Sequence, residues 1–182
     1  MTKEGSEMTD AITLPAEGMT TTAGDDDYQA EVLFAASPEA VFDALTTVTG
    51  LAGWWTAVTG SGLEGGELRF VFTGAAHVEG LMLAEEPLLI YVDTARRPSE
   101  VRWTVRECVL LPDWVGTSLR FELAPHGTGG CELRFQHRGV TPRLENYAAY
   151  TSAWEDHLAS LHDYVETGHG RPFGSGGEEG KR

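Results

Sequence analysis

Residues 144–165 read LENYAAYTSAWEDHLASLHDYV. At 100° per residue, Tyr147, Tyr150, Leu158, Leu161 and Val165 all fall within about 40° of Trp154. Glu145, Asp156 and Asp163 fall on the opposite side. The spacing predicts one amphipathic helix over Leu144–Val165, about 33 Å long at 1.5 Å per residue. A face carrying Tyr147, Tyr150 and Trp154 needs a broad apolar partner surface.

The chain before this helix reads as that surface. From Glu67 to Arg138 it alternates apolar and polar residues in short runs, the period of half-buried strands. Leu68, Phe70 and Phe72 share one face. His77–Ala84 returns with Val78, Gly80 and Met82 together. Leu88–Asp93 is apolar on both faces, as a central strand would be. Val101, Trp103 and Val105 alternate with Arg102, Thr104 and Arg106. Leu111-Pro112-Asp113 interrupts, and Gly116–Leu123 resumes with Leu119, Phe121 and Leu123 inward. His126-Gly127-Thr128-Gly129-Gly130 is hairpin chemistry. Glu132–Arg138 closes the set, with Leu133, Phe135 and His137 inward. Hairpin-linked strands with polar outer faces need cover on one side only, and the 144–165 helix provides it.

Upstream, Ala30, Val32 and Phe34 alternate in a strand over Tyr28–Ala35. Ser37-Pro38 then offers an N-cap and a first-turn proline for a short helix through Val41, Phe42 and Leu45. Thr47–Gly53 suits a second short helix ahead of Trp54-Trp55. Two adjacent indoles point different ways, so at least one faces inward. The glycines at 60, 62, 65 and 66 mark a turn that opens a strand. A phosphate-cradling loop opens a helix instead.

Residues 1–26 are polar, small and acidic and are expected to form a disordered tail. Residues 27–168 form the expected domain, and residues 169–182, ending in GSGGEEGKR, a flexible C-terminal tail. The 182-residue chain carries 28 Asp+Glu against 13 Lys+Arg, a formal net charge of -15. That balance argues against nucleic acid, which requires a basic footprint, and against anionic membrane surfaces. No run approaches the ~20 apolar residues of a membrane span. With no signal-like apolar run near Met1, a cytoplasmic protein is expected. Cys108 and Cys131 have no metal-like spacing. Free buried thiols are the expectation for them, and a cross-strand disulfide is the alternative.

The order of strand, two short helices, antiparallel strands and one long C-terminal helix resembles the helix-grip fold of the START/birch-pollen-allergen (SRPBCC) superfamily, class α+β. The opening Val32-Leu33-Phe34-Ala35-Ala36-Ser37-Pro38-Glu39-Ala40-Val41-Phe42, followed by Trp54-Trp55, is similar to that superfamily's N-terminal signature. The ending Glu132-Leu133-Arg134-Phe135-Gln136-His137-Arg138-Gly139, leading to Trp154-Glu155-Asp156-His157-Leu158, resembles its heat-shock ATPase-activator-homologue-like branch. Many relatives read Gly-Gly-Thr where this chain reads Gly129-Gly130-Cys131, a change in a turn. The resemblance spans residues 28–168. It implies a cavity between sheet and helix, and no common catalytic set.

Residues expected to line that cavity are Trp54, Trp55, Phe70, Phe72, Met82, Tyr91, Trp103, Phe121, Phe135, His137, Tyr147, Tyr150, Trp154 and His157. The alternative is that these rings fill the core completely. His137 and His157 titrate near neutrality and could move protons, or serve as hydrogen-bonded structural residues. His77 and Glu79, two apart on a strand, lack a third metal ligand. No cofactor or metal site is expected. Three functions fit: a binder of a hydrophobic or aromatic small molecule, a cyclase- or dehydratase-type enzyme using the same cavity, and a protein-interaction module linked to stress. An edge strand offers a homodimer contact.

Overall fold

The computed structural model describes residues 18–22, 27–72 and 87–174. The expected strand His77–Ala84, with Met82 and the His77/Glu79 pair, lies outside the described residues. The elements are β1 (Met19–Thr22), β2 (Tyr28–Phe34), α1 (Pro38–Thr46), α2 (Val48–Trp54), β3 (Ala57–Gly60), β4 (Glu67–Val71), β5 (Pro87–Arg96), β6 (Glu100–Cys108), a 3-10 turn at Pro112–Trp114, β7 (Ser118–His126), β8 (Gly130–Arg138) and α3 (Tyr147–Thr167). The strands form one 8-stranded sheet in the order β1-β2-β8-β7-β6-β5-β4-β3. Every pair is antiparallel. Two register shifts in the β5–β6 ladder, at Leu89/Ile90 and at Val92/Thr94, add local twist that helps curve the sheet. This is the α+β helix-grip architecture.

Period-2 burial is clean along the sheet. Tyr28, Ala30, Val32 and Phe34 face inward on β2, and Leu133, Phe135 and His137 do so on β8. At the expected N-cap, the Ser37 hydroxyl accepts from the Ala40 N–H at 3.4 Å. Thr47 caps α2 in the same way. On α3 the apolar stripe buries Tyr150, Trp154, Leu158 and Leu161. Each fully buried large side chain contributes about 1.5–3 kcal/mol. Tyr147 and Val165 pack at the margin of the core. The helix stops at Gly168, whose φ of 80° is a backbone conformation glycine adopts at no steric cost.

Two further ties hold α3 in place. Its Glu166 carboxylate accepts from the Ala35 N–H at 2.7 Å, fixing the helix end to the entry of α1. Tyr164 lies so close to Gly53 that a Cβ there would stand 2.2 Å from its ring. Glycine at 53 thus sets how near α2 and α3 can approach.

Two segments correct the sequence expectations. Residues 1–26 were expected to be a tail throughout, yet Met19–Thr22 pair with β2, and Met19 is buried. Threonine is β-branched and suits an edge strand. Residues 169–182 were also expected to be a flexible tail, yet residues 169–173 turn back along the molecule. The Arg171 N–H donates to Ser160 Oγ at 2.6 Å, and the Phe173 N–H donates to the Trp55 carbonyl at 2.6 Å. β3, for which the sequence analysis names no strand, is a short edge strand paired with β4.

Cys108 and Cys131 are free and buried. β7 lies between their strands, and β-strand spacing of about 4.8 Å puts two strands' separation beyond disulfide reach.

Candidate functional site

The core beneath α3 is built of interlocked rings. Trp55 stacks on Trp54 (centroids 5.5 Å apart) and on Trp103 (6.2 Å), and lies 4.4 Å from Phe70. Trp103 meets Phe121 edge-on at 4.8 Å. Phe121 touches Phe135 at 4.9 Å, and Phe135 touches Trp154 at 4.5 Å. Trp154 in turn stacks on Trp114 with only 7° between the planes. The Trp54 indole N–H donates to the Ala44 carbonyl at 2.9 Å. These rings fill the space between sheet and helix. Trp54, Phe70, Trp103, Phe121, Phe135 and Trp154 are buried members of this core and are not among the residues that border the cleft described below.

His137 sits inside this cluster with no exposure. The Trp154 indole N–H donates to His137 Nδ1 at 2.9 Å. Indole nitrogen only donates, so Nδ1 carries the lone pair and the ring proton resides on Nε2. Nε2 then donates to Thr117 Oγ1 at 2.8 Å, and the Thr117 hydroxyl donates to the Trp114 carbonyl at 2.6 Å. Burial pushes the imidazole pKa down to about 3. At neutral pH His137 is uncharged, with both nitrogens engaged. It fixes Trp154 against the turn that carries Trp114.

The opening lies to one side of the stripe. A cleft of about 350 Å³ is lined by Trp55, Phe72, Leu88, Cys108, Leu110, Leu111, Trp114, Ala153, Asp156, His157 and Phe173. Its walls come from the end of β4, the start of β5, the end of β6, the connection around the 3-10 turn, and the α3 flank bearing Ala153, Asp156 and His157. Of the predicted lining residues, Trp55, Phe72 and His157 border it. Tyr91 is on the outer face of β5, beneath the Arg106 guanidinium at 5.1 Å, because inward Ile90 and Val92 bracket it. Tyr147 is half-buried beside the core. Tyr150 is buried, and its hydroxyl donates to Asp113 at 2.8 Å.

Sequence reasoning missed Leu88, Cys108, Leu110, Leu111, Trp114, Ala153, Asp156 and Phe173. Leu111-Pro112-Asp113 was read as a break, and no periodicity flags Trp114 inside a 3-10 turn. Phe173 belongs to the returning segment and meets Phe72 edge-on at 5.4 Å. Ala153 and His157 stand four residues apart and so share one edge of α3.

The cleft is mostly apolar, with few polar groups. The His157 ring lies 5.6 Å from Trp55 and 5.7 Å from Trp154. Burial lowers its pKa to about 4, while neighbouring Asp156 pulls the other way. The Cys108 thiol is raised by burial, which keeps it protonated and unreactive. The indole N–H groups of Trp55 and Trp114 find no acceptor among the described residues. No three metal-binding side chains cluster among the described residues. No described helix is long and apolar enough to cross a membrane.

A curved antiparallel sheet gripping one long helix, with a side cleft between them, defines a protein of the SRPBCC superfamily. Within it, the chain belongs to the family of activator of Hsp90 ATPase homolog 1-like proteins, whose model matches residues 35–166. Among solved structures it is similar to the Aha1 dimer of Colwellia psychrerythraea, at 27% identity and a TM-score of 0.64, covering 78% of this chain and 97% of that one. CalU16 from Micromonospora echinospora shares the fold at 17% identity and a TM-score of 0.57, covering 85% of this chain and 80% of that one. DynU16, a putative protein in the dynemicin biosynthetic locus, shares it at 21% identity and a TM-score of 0.60, with 81% of this chain and 49% of that one covered. No curated protein matches the sequence.

Proposed function

We propose that this is a cytoplasmic binding protein that holds a small, largely apolar molecule in the cleft beside α3. The supporting observation is the cleft itself. At about 350 Å³ it falls in the range of small-molecule sites, roughly 300–1,000 Å³. Aromatic and aliphatic walls surround a few polar groups, the usual composition of such sites. Two buried free thiols accord with a reducing compartment. Binding without catalysis is the better reading, because the hydrogen bonds of His137 withdraw it from proton transfer.

The test is a titration with N-phenyl-1-naphthylamine, a neutral probe that brightens in apolar surroundings. The expected result is saturable 1:1 binding with a Kd of about 0.1 mM or tighter, from ~0.3 kcal/mol per non-hydrogen atom. A linear, unsaturable response contradicts the proposal.

Self-association is a second reading, supported by the dimer named for the Colwellia psychrerythraea relative and by two edge strands, β1 and β3, that end the sheet. Light scattering behind a sizing column tests it. A mass of twice 19.7 kDa across micromolar concentrations is expected, and a strictly monomeric mass counters it.

A further inference from the structure

The charges around the cleft are one-sided. Among the described lining residues Asp156 carries the formal charge, since His157 is neutral above about pH 4. The His157 imidazole on the wall is uncharged at pH 7. No lysine or arginine belongs to the described wall. The neighbouring cations are engaged elsewhere. Arg171, two residues before Phe173, pairs with Asp163 at 3.2 Å. Arg106 lies over Tyr91 on the outer face of the sheet. The whole chain carries a net charge of -15.

This arrangement discriminates by charge. A carboxylate or phosphate entering the cleft would leave water beside Asp156 with no cation among the described lining residues to receive it, which is costly. An ammonium would meet the Asp156 carboxylate at the rim. Its apolar body would lie against Trp114, Phe72 and Phe173. The acidic surface further concentrates cations near the mouth.

We infer that the cleft selects a hydrophobic amine: an aromatic or aliphatic body carrying one protonated nitrogen, with Asp156 as its counter-charge. The inference rests on the cleft being a small-molecule site.

Calorimetric titration at pH 7 and low salt separates the two claims, with 4-phenylbutylamine, 4-phenylbutan-1-ol and 4-phenylbutyrate as probes on one shared body. The amine is expected to bind about three-fold tighter than the alcohol, the scale of an exposed ion pair, and at least ten-fold tighter than the carboxylate. Asp156 is exposed, so Asp156→Asn keeps the fold and should bring the amine to the level of the alcohol. Added salt should shrink the amine's advantage. Carboxylate binding as tight as amine binding, or an amine preference unchanged in Asp156→Asn, overturns the charge selection and leaves the cleft as a binding site. Silence from all three probes removes the small-molecule site and the selection together.

Discussion

The Trp154 indole N–H donates to His137 Nδ1 at 2.9 Å, coupling the centre of α3 to the end of β8. This bond sets the tautomer of His137 and starts a chain through Thr117 to the turn bearing Trp114. That turn also supplies a wall of the cleft. Anchoring the helix and shaping the cleft are therefore linked.

Breaking the bond should destabilise the fold from either end. Trp154→Phe removes the donor and part of a fully buried side chain, at a cost of about 2–4 kcal/mol. His137→Leu leaves the Trp154 N–H unpaired, at about 1–3 kcal/mol. Urea unfolding of both single variants and the double variant forms a cycle. The expected coupling is about 1 kcal/mol or more, and simple additivity would show that the bond contributes nothing of its own.

Stability should fall on mild acidification. The folded pKa values of His137 and His157 are lowered to about 3 and about 4, against about 6.5 in the unfolded chain. Between those values the unfolded state binds more protons, so unfolding free energy rises with pH and levels off above about 6.5. Each histidine should cost ~2 kcal/mol on going from pH 6.5 to 5. Urea midpoints at pH 7 and pH 5 measure the loss. His157→Asn should remove its share of the slope, and an unchanged slope would mean the ring is not desolvated.

Ser160 ties the returning segment to α2. Its hydroxyl donates to the Trp54 carbonyl at 2.7 Å and accepts from the Arg171 N–H. Ser160→Ala should lose about 1–3 kcal/mol. It should also speed hydrogen exchange at the Arg171 and Phe173 amides by ten-fold or more, while core amides of β8 change less. Exchange at those two amides equal to wild type would show that the segment is held by other contacts.

The parts of this fold legible in the sequence are those where periodicity and burial coincide. The stripe from Tyr147 to Val165 and the alternation of Leu133, Phe135 and His137 identify their elements because one face of each is dry. β1 and residues 169–173 were not legible. Their order comes from backbone hydrogen bonds to β2 and Trp55, which polar and glycine-rich sequence does not announce. The site was legible only in part. Large aromatic residues mark the core and the cleft alike, and only packing decides which rings interlock, as Trp103 and Phe121 do, and which border space, as Trp114 does. Ala153 gives no sequence signal, because its contribution to the cleft is its small size.

That small size provides the most direct test that the cleft is the binding site. Ala153 is half-buried on the cleft wall, and Ala153→Trp should fill the space without touching the ring cluster. Ala149, exposed and one turn earlier, supplies the control Ala149→Trp. Titrated with N-phenyl-1-naphthylamine, Ala153→Trp should bind at least ten-fold more weakly than wild type, while Ala149→Trp matches wild type. Equal affinity in all three proteins would contradict the account.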